Sequence, residues 1–126
     1  ALVMAGGDIA IGDPPPGEDA WDIKLRQFTH ATPEENLVTV HLHNCGVSTS
    51  GDLYQFTEID GKRYSHIVSP KTGMGLRERI ACSVIAPDCT TSDALATAMC
   101  VLGRERGEKA AAQLKGVTTR FAEQAR

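Results

Sequence analysis

Over the first two thirds of the chain, apolar and polar residues alternate with a period of two. Only after residue 88 does the period lengthen toward that of a helix. "LVMA" and "DIAIG" are short strand-like runs separated by Gly6-Gly7, which predicts a bend or a close backbone approach between them. "GDPPPGED", Gly12 to Asp19, cannot hold regular structure and reads as an exposed loop. "AWDIKL" resumes a strand with Trp21, Ile23 and Leu25 on one face, and "QFTHATPEEN" is a loop or short turn. Leu37 to His43 alternates throughout, with Val38, Val40 and Leu42 one way and Thr39, His41 and His43 the other. "NCGVSTSGD" is small and hydroxyl-rich, and its STSGD portion reads as a turn between strands.

"LYQFTEIDGKRYSHIVS" predicts a hairpin, because Asp60-Gly61 is a type I′ turn signal flanked by strand-forming residues. "PKTGMGLRE" is a loop and "RIACSVIA" a further strand. Then Leu95, Ala98, Met99 and Leu102 fall at i, i+3, i+4 and i+7, with Gly103 placed as a C-cap and Thr91 or Ser92 as N-cap. "EKAAAQLKG" is a second short helix closed by Gly116, and "VTTRFA" a last edge strand. Strands followed by helices predict an α+β fold, a mostly antiparallel sheet with two C-terminal helices packed on one face. Residues 1–126 read as one domain. The chain opens directly in strand-like sequence, which is expected of a domain cut from something longer.

Composition narrows the function classes without choosing among them. The 126 residues are 41% hydrophobic and 23% charged, ordinary for a globular domain with a core of its own. A net charge of −3 offers no basic surface for nucleic acid, and no apolar run approaches membrane-spanning length. Cys45, Cys82, Cys89 and Cys100 are spread out with no C-x-x-C pair, so free thiols are expected, with one disulfide as the alternative.

Four groups of residues carry candidate chemistry. Asp93 and Thr97 lie one turn apart on a helix face, and hard oxygen donors there suit Mg²⁺, which fills its shell with water and substrate phosphate. An acid in the first turn and a packed threonine account for the same pair without a metal. His66 closes a hairpin strand at a Pro/Gly loop, where an imidazole can move a proton or contact a phosphate. A structural histidine bonded to a loop carbonyl is the plainer reading. "STSGD" can present backbone N–H groups to an anion or can be an ordinary turn. His41, His43 and Cys45 have ligand chemistry for Zn²⁺, but no fourth ligand is spaced nearby.

Taken in order, "GGDIAIG", the Trp21 strand, "STSGDLYQFTEIDGKRYSHIVSPKTG" and "SVIAPDCTTSDALATAMCVLG" resemble the FAD:protein FMN transferases, the ApbE family. The last two blocks are long, ordered and specific, and span about half the chain. The resemblance implies Mg²⁺-dependent transfer of FMN from FAD to a threonine or serine hydroxyl of an acceptor flavoprotein, with release of AMP. It implies Asp93 and Thr97 as metal ligands and His66 as the base or phosphate-contacting group. Ile67 is implied as a flavin-nucleotide contact, and Ser50 and Gly51 as the border of the site.

Two departures stand out. Ser69 replaces the aspartate usual in the family's histidine motif, which bears on the orientation of His66. Family members are also about twice this long, so the chain resembles their C-terminal portion. A homodimer, or pairing with an N-terminal half, would complete such a site. The alternatives are a non-catalytic FAD-binding module and an FAD-hydrolysing pyrophosphatase. The resemblance further implies the periplasmic face of a bacterial inner membrane.

Overall fold

The computed structural model describes residues 1–26, 37–52 and 55–123. In chain order the elements are β1 (Leu2–Ala5), β2 (Asp8–Ile11), β3 (Trp21–Arg26), β4 (Leu37–Leu42), β5 (Cys45–Gly51), β6 (Phe56–Ile59), β7 (Lys62–Ser65), β8 (Ile80–Ala86), α1 (Cys89–Leu102), α2 (Arg104–Ala111) and β9 (Thr118–Glu123). Five strands form one antiparallel sheet in the order β1-β2-β5-β8-β9, while β3-β4 and β6-β7 are separate two-stranded ribbons. The α+β class and the edge position of the last strand follow the sequence pattern. The expected loop at residues 27–36 lies outside the described residues, as do Leu53 and Tyr54 of the expected hairpin.

Gly6 and Gly7 turn β1 back onto β2 with φ of 62° and 102°, a left-handed backbone that glycine adopts without a Cβ penalty. The β6–β7 turn is the type I′ one expected, with Asp60 at φ 49° and Gly61 at φ 68°. Beyond β7 the chain runs out through residues 66–76 and returns. Leu76 N–H donates to the Ile67 carbonyl, and Ser69 N–H donates to that of Met74, both at 2.8 Å.

The main correction to the sequence reading is β5. "CGVSTSG" is not a turn but the central strand of the large sheet, hydrogen-bonded to β2 on one side and β8 on the other. Glycine and serine have weak strand preference, so no local signal marks it. Its hydroxyls find partners instead: Ser48 Oγ with Ser92 Oγ at 2.7 Å, Thr49 Oγ1 with Ser83 Oγ at 2.8 Å, and Ser50 Oγ with Thr97 Oγ1 at 2.9 Å. Of these pairs Ser48–Ser92 is buried, and pairing there escapes most of the desolvation cost of burial.

Register divides the sheet into two working faces. Ile9 lies opposite Val47 and Ile11 opposite Cys45, so these side chains share one face. There they pack with Ile23, Leu25 and Val40 of the β3–β4 ribbon. In that ribbon Trp21, Ile23 and Leu25 lie opposite Leu42, Val40 and Val38, on one face as expected. The other face carries Ile80, Cys82, Val84 and Ala86 of β8 against Ala96, Met99 and Cys100 of α1 and Ala111 of α2. Both helices therefore cover one face, as expected, and a second small sheet that the pattern did not foretell covers the other.

Three local expectations about the helices are corrected. The buried residues of α1 are Ser92, Ala96, Met99 and Cys100, while Ala98 of the expected stripe is exposed and Leu95 and Leu102 are half-buried. The helix sits so close to β5 that only small side chains fit between them, and this rotates the buried face away from the leucines. The second helix spans Arg104–Ala111 rather than residues 108–116. It starts directly after Gly103, and its Gly107 lets Phe121 approach, since a Cβ there would lie 2.5 Å from the Phe121 ring.

The N-cap of α1 is Asp88, not Thr91 or Ser92. Its carboxylate accepts from Thr91 N–H and from the Thr91 hydroxyl, both at 2.8 Å. The hydrogen bond from the Thr91 backbone N–H, and then that from its hydroxyl, hold the Asp88 carboxyl below its ordinary value of 3.8. A carboxyl depressed in the folded state stabilises the fold above its ordinary value and loses that contribution as pH falls through the folded one. Asp88→Ala is accordingly expected to lower the melting temperature at neutral pH. The gap to the parent protein should close in melts taken progressively below pH 3.8. A gap independent of pH would rule out the charged cap.

Candidate functional site

Because Asp8 lies opposite Ser48 in the β2–β5 register, it rises from the same sheet face as Ser48 and Ser50. Helix α1 crosses that face, with Ser92 on Ser48 and Thr97 on Ser50. A cleft of about 390 Å³ opens there, lined by Gly6, Asp8, Thr49, Ser50, Gly51, Gln55, His66, Asp93 and Thr97. Five residues singled out from the sequence, Asp93, Thr97, His66, Ser50 and Gly51, thus meet in one place from three segments of the chain. Ile67 is not among the lining residues; its side chain is 5% exposed and packs in the core beneath α1.

Each side chain is held for a local reason. Asp93 and Thr97 share an exposed side of α1 because the opposite side is buried on β5 and β8. The Thr97 hydroxyl is oriented by Ser50. Cys100, one turn further on, donates from Sγ to the Ser50 carbonyl at 3.4 Å, which adds a tie between helix and strand. Gly51 allows β5 to lie against β8, since a Cβ there would come within 2.4 Å of the Ala81 Cβ.

His66 Nδ1 lies 3.1 Å from the Gln55 carbonyl oxygen, and His66 N–H donates to the same oxygen at 3.3 Å. A carbonyl can only accept, so the neutral ring carries its proton on Nδ1 and keeps the Nε2 lone pair for a substrate. The Ser69 hydroxyl is engaged elsewhere, accepting from Lys71 N–H at 3.4 Å within the turn. The Gln55 carbonyl therefore orients the imidazole in this chain.

Gly6, Asp8 and Gln55 are the lining residues that the sequence reading missed. Asp8 stands in the quoted "GGDIAIG" block, but only the register with β5 brings it to the cleft. Gln55 acts through its carbonyl, for which side-chain identity gives no signal.

The zinc alternative fails on backbone geometry. Asn44, at φ 48°, turns the chain between His43 and Cys45, so the thiol begins a new strand instead of continuing the histidine face. His41 Nδ1 is engaged by Asp22 Oδ1 at 2.6 Å. All four cysteines are free thiols. Burial pushes Cys82 up to about 12 and Cys100 up to about 11, so neither is an available nucleophile near neutral pH.

Residues 1–121 match the model of the ApbE family. The FAD:protein FMN transferase of Treponema pallidum is 37% identical over 102 residues, which is 80% of this chain and 28% of that protein. That of Haemophilus influenzae is 31% identical over 106 residues, 83% of this chain and 31% of the relative. Among solved structures, the apo flavinyl transferase ApbE of Pseudomonas stutzeri superposes with a TM-score of 0.79 at 32% identity. It covers 99% of this chain, which spans 38% of that one. The ApbE protein of Thermotoga maritima gives 0.78 at 29% identity, with 98% and 42% covered. The chain thus spans less than a third of the curated relatives named here, a smaller share than the half expected from the sequence. With nearly its whole length matched by the family model and its backbone superposing on two solved members, the chain belongs to the ApbE family.

Proposed function

We propose that this chain forms part of the site that transfers FMN from FAD to a hydroxyl of an acceptor protein and releases AMP. One observation carries the reading: helix α1, strand β5 and the hairpin exit bring Asp93, Thr97, Ser50 and His66 to a single open cleft. The relatives named above are FAD:protein FMN transferases, so a flavin dinucleotide and a protein are the expected reactants.

The donor set fits a hard divalent cation. Asp93 offers a carboxylate and Thr97 a hydroxyl, both exposed, and no thiolate lines the cleft. Mg²⁺ is satisfied by few protein oxygens when water and phosphate supply the rest, so Asp93 and Thr97 would hold it. Thr97 can still serve, because a hydroxyl has one donor and two acceptor positions and Ser50 occupies only one of them. Bound there, the metal would neutralise the pyrophosphate charge and stabilise the leaving phosphate.

The remaining chemistry falls to the protein. The acceptor oxygen attacks the FMN-side phosphorus, and its proton passes to His66 Nε2. The new phosphoester bond forms as the bond to the AMP phosphate breaks, with the electron pair leaving on AMP. Gln55 holds the imidazole through Nδ1 and stabilises the cation that forms. A positioned general base contributes roughly 10²–10⁴-fold, so His66→Ala should slow AMP release by about that factor.

The test is AMP release from FAD with Mg²⁺ and a pool of threonine-containing peptides as acceptor, against a chelator control and a control without peptide. It is run on the chain alone and with the N-terminal portion of the Pseudomonas stutzeri relative added. Chelator-sensitive release in either arm, slowed in His66→Ala, supports the reading. No release in both arms, or release indifferent to His66, overturns it.

A further inference from the structure

His66 and Gln55 line not one cleft but two. A second, shallower cleft of about 330 Å³ is bounded by Gln55, Phe56, Thr57, Tyr64, Ser65 and His66. The imidazole therefore stands between an oxygen-rich cleft holding Asp8, Asp93 and Thr97 and a cleft walled by Phe56 and Tyr64.

The second cleft spans the start of the β6–β7 ribbon, beside an edge of β6 that no described strand covers. Among the described residues β6 pairs with β7 alone, and all four β6 residues are exposed. The hydrogen-bond alternation of an antiparallel pair shows which groups face outward. His66 N–H donates to Gln55 across the ribbon, while Ser65 N–H donates away from it to the Leu76 carbonyl at 2.8 Å. Phe56, opposite Ser65, and Glu58, two residues on, therefore point their own N–H and C=O groups to the free edge of β6. Phe56 is 45% exposed yet fixed, with the Arg63 guanidinium 3.3 Å from its ring centroid. Arg63 is held in turn by the buried Asp52 carboxylate, Nε to Oδ2 at 2.9 Å. An open edge beside an immobilised aromatic suits addition of an extended strand, at low ordering cost on the protein side.

We propose that the acceptor protein docks here as an extended segment on the free edge of β6, packed against Phe56, with its hydroxyl residue over His66. The inference rests on the transfer reading above and adds the place of the second substrate. In an in-line displacement the attacking and leaving oxygens lie on opposite sides of phosphorus. With the pyrophosphate beside Asp93 and Thr97, attack comes from the far side, where the second cleft meets His66. The hydroxyl proton passes to Nε2 as the phosphoester bond forms and AMP departs.

The probe is a pool of synthetic peptides with a central threonine and randomised flanks. Labelling is read as covalent FMN fluorescence, and the KM for FAD is read separately from AMP release. Glu58→Pro removes an outward N–H without touching the bonds to β7, and Phe56→Ala removes the anchor. Each is expected to lower labelling at subsaturating peptide roughly tenfold, the loss of one or two edge interactions, at an unchanged KM for FAD. Labelling equal to the parent's in Phe56→Ala overturns the docking site even if the proline disturbs the hairpin. A raised KM for FAD also overturns it, by assigning the cleft to a ring of the dinucleotide. AMP release without labelling of any peptide overturns the docking site and leaves the cleft chemistry standing, whereas absence of both removes the transfer reading and this one with it.

Discussion

Replacing Asp93 by alanine is expected to abolish Mg²⁺-dependent AMP release while leaving the fold intact. The carboxylate is exposed on α1, so its removal opens no cavity and strands no buried partner. What is lost is the charged member of the Asp93–Thr97 pair that would hold the cation. A metal contributing several kcal/mol of charge stabilisation corresponds to a drop of roughly 10³-fold in rate. Thr97 provides the internal comparison, since Thr97→Ser keeps the oxygen that pairs with Ser50 and Thr97→Val removes it. Steady-state AMP release over a Mg²⁺ titration separates the cases. The serine variant should respond to metal like the parent, and the valine variant should need far more. Turnover in Asp93→Ala equal to the parent's would end the metal assignment.

The second large effect is on folding, at Gly46. A Cβ added there would lie 2.4 Å from both the Asp88 carbonyl carbon and the Cys89 nitrogen, and 2.6 Å from the Asp88 oxygen. All three are backbone atoms at the start of α1, so no side chain can swing aside to make room. Relief requires moving the helix off β5, which would pull Ser92 from Ser48 and Thr97 from Ser50. Overpacking of a filled core usually costs about 1–3 kcal/mol, and Gly46→Ala belongs at or above the top of that range. Urea unfolding should show a markedly lower midpoint for this variant. The effect on the site should also exceed the effect on stability, because Asp93 and Thr97 travel with the displaced helix. A midpoint unchanged from the parent would mean that α1 does not rest on β5 as closely as described.

Legibility from sequence varied with how local the physics was. The β6–β7 turn was readable because Asp60-Gly61 satisfies its positive φ values by residue type alone. The β3 and β4 faces were readable because period-two alternation survives wherever one side of a ribbon is buried. Strand β5 was not, because two of its three buried positions hold Gly46 and Ser48, which carry no hydrophobic signal, and Val47 between them makes no pattern alone. Gly46 and Ser48 are small for the sake of α1, some forty residues later in the chain. The same contact misled the assignment of the helix's buried face, where Ala96 lies in contact and Ala98 in solvent. The second helix was displaced in the reading because its polar first turn, Arg104 to Gly107, shows nothing of Phe121 packing on its glycine.

The candidate site divides along the same line. By itself the sequence determined the residue types that can do the chemistry, the one-turn spacing of Asp93 and Thr97, and the family in which that spacing recurs. These are properties of short segments, set by helical pitch and by the order of motifs. Only the tertiary structure decided that His66 faces the same cleft as Asp93, that Asp8 joins them across β2, and that a Gln55 carbonyl chooses the imidazole tautomer. It alone revealed that, among the described residues, nothing pairs with the outer edge of β6 beside His66. Those facts depend on sheet register and on the height of a helix above a strand. Both are fixed by packing between residues far apart in the chain, and no local periodicity records them.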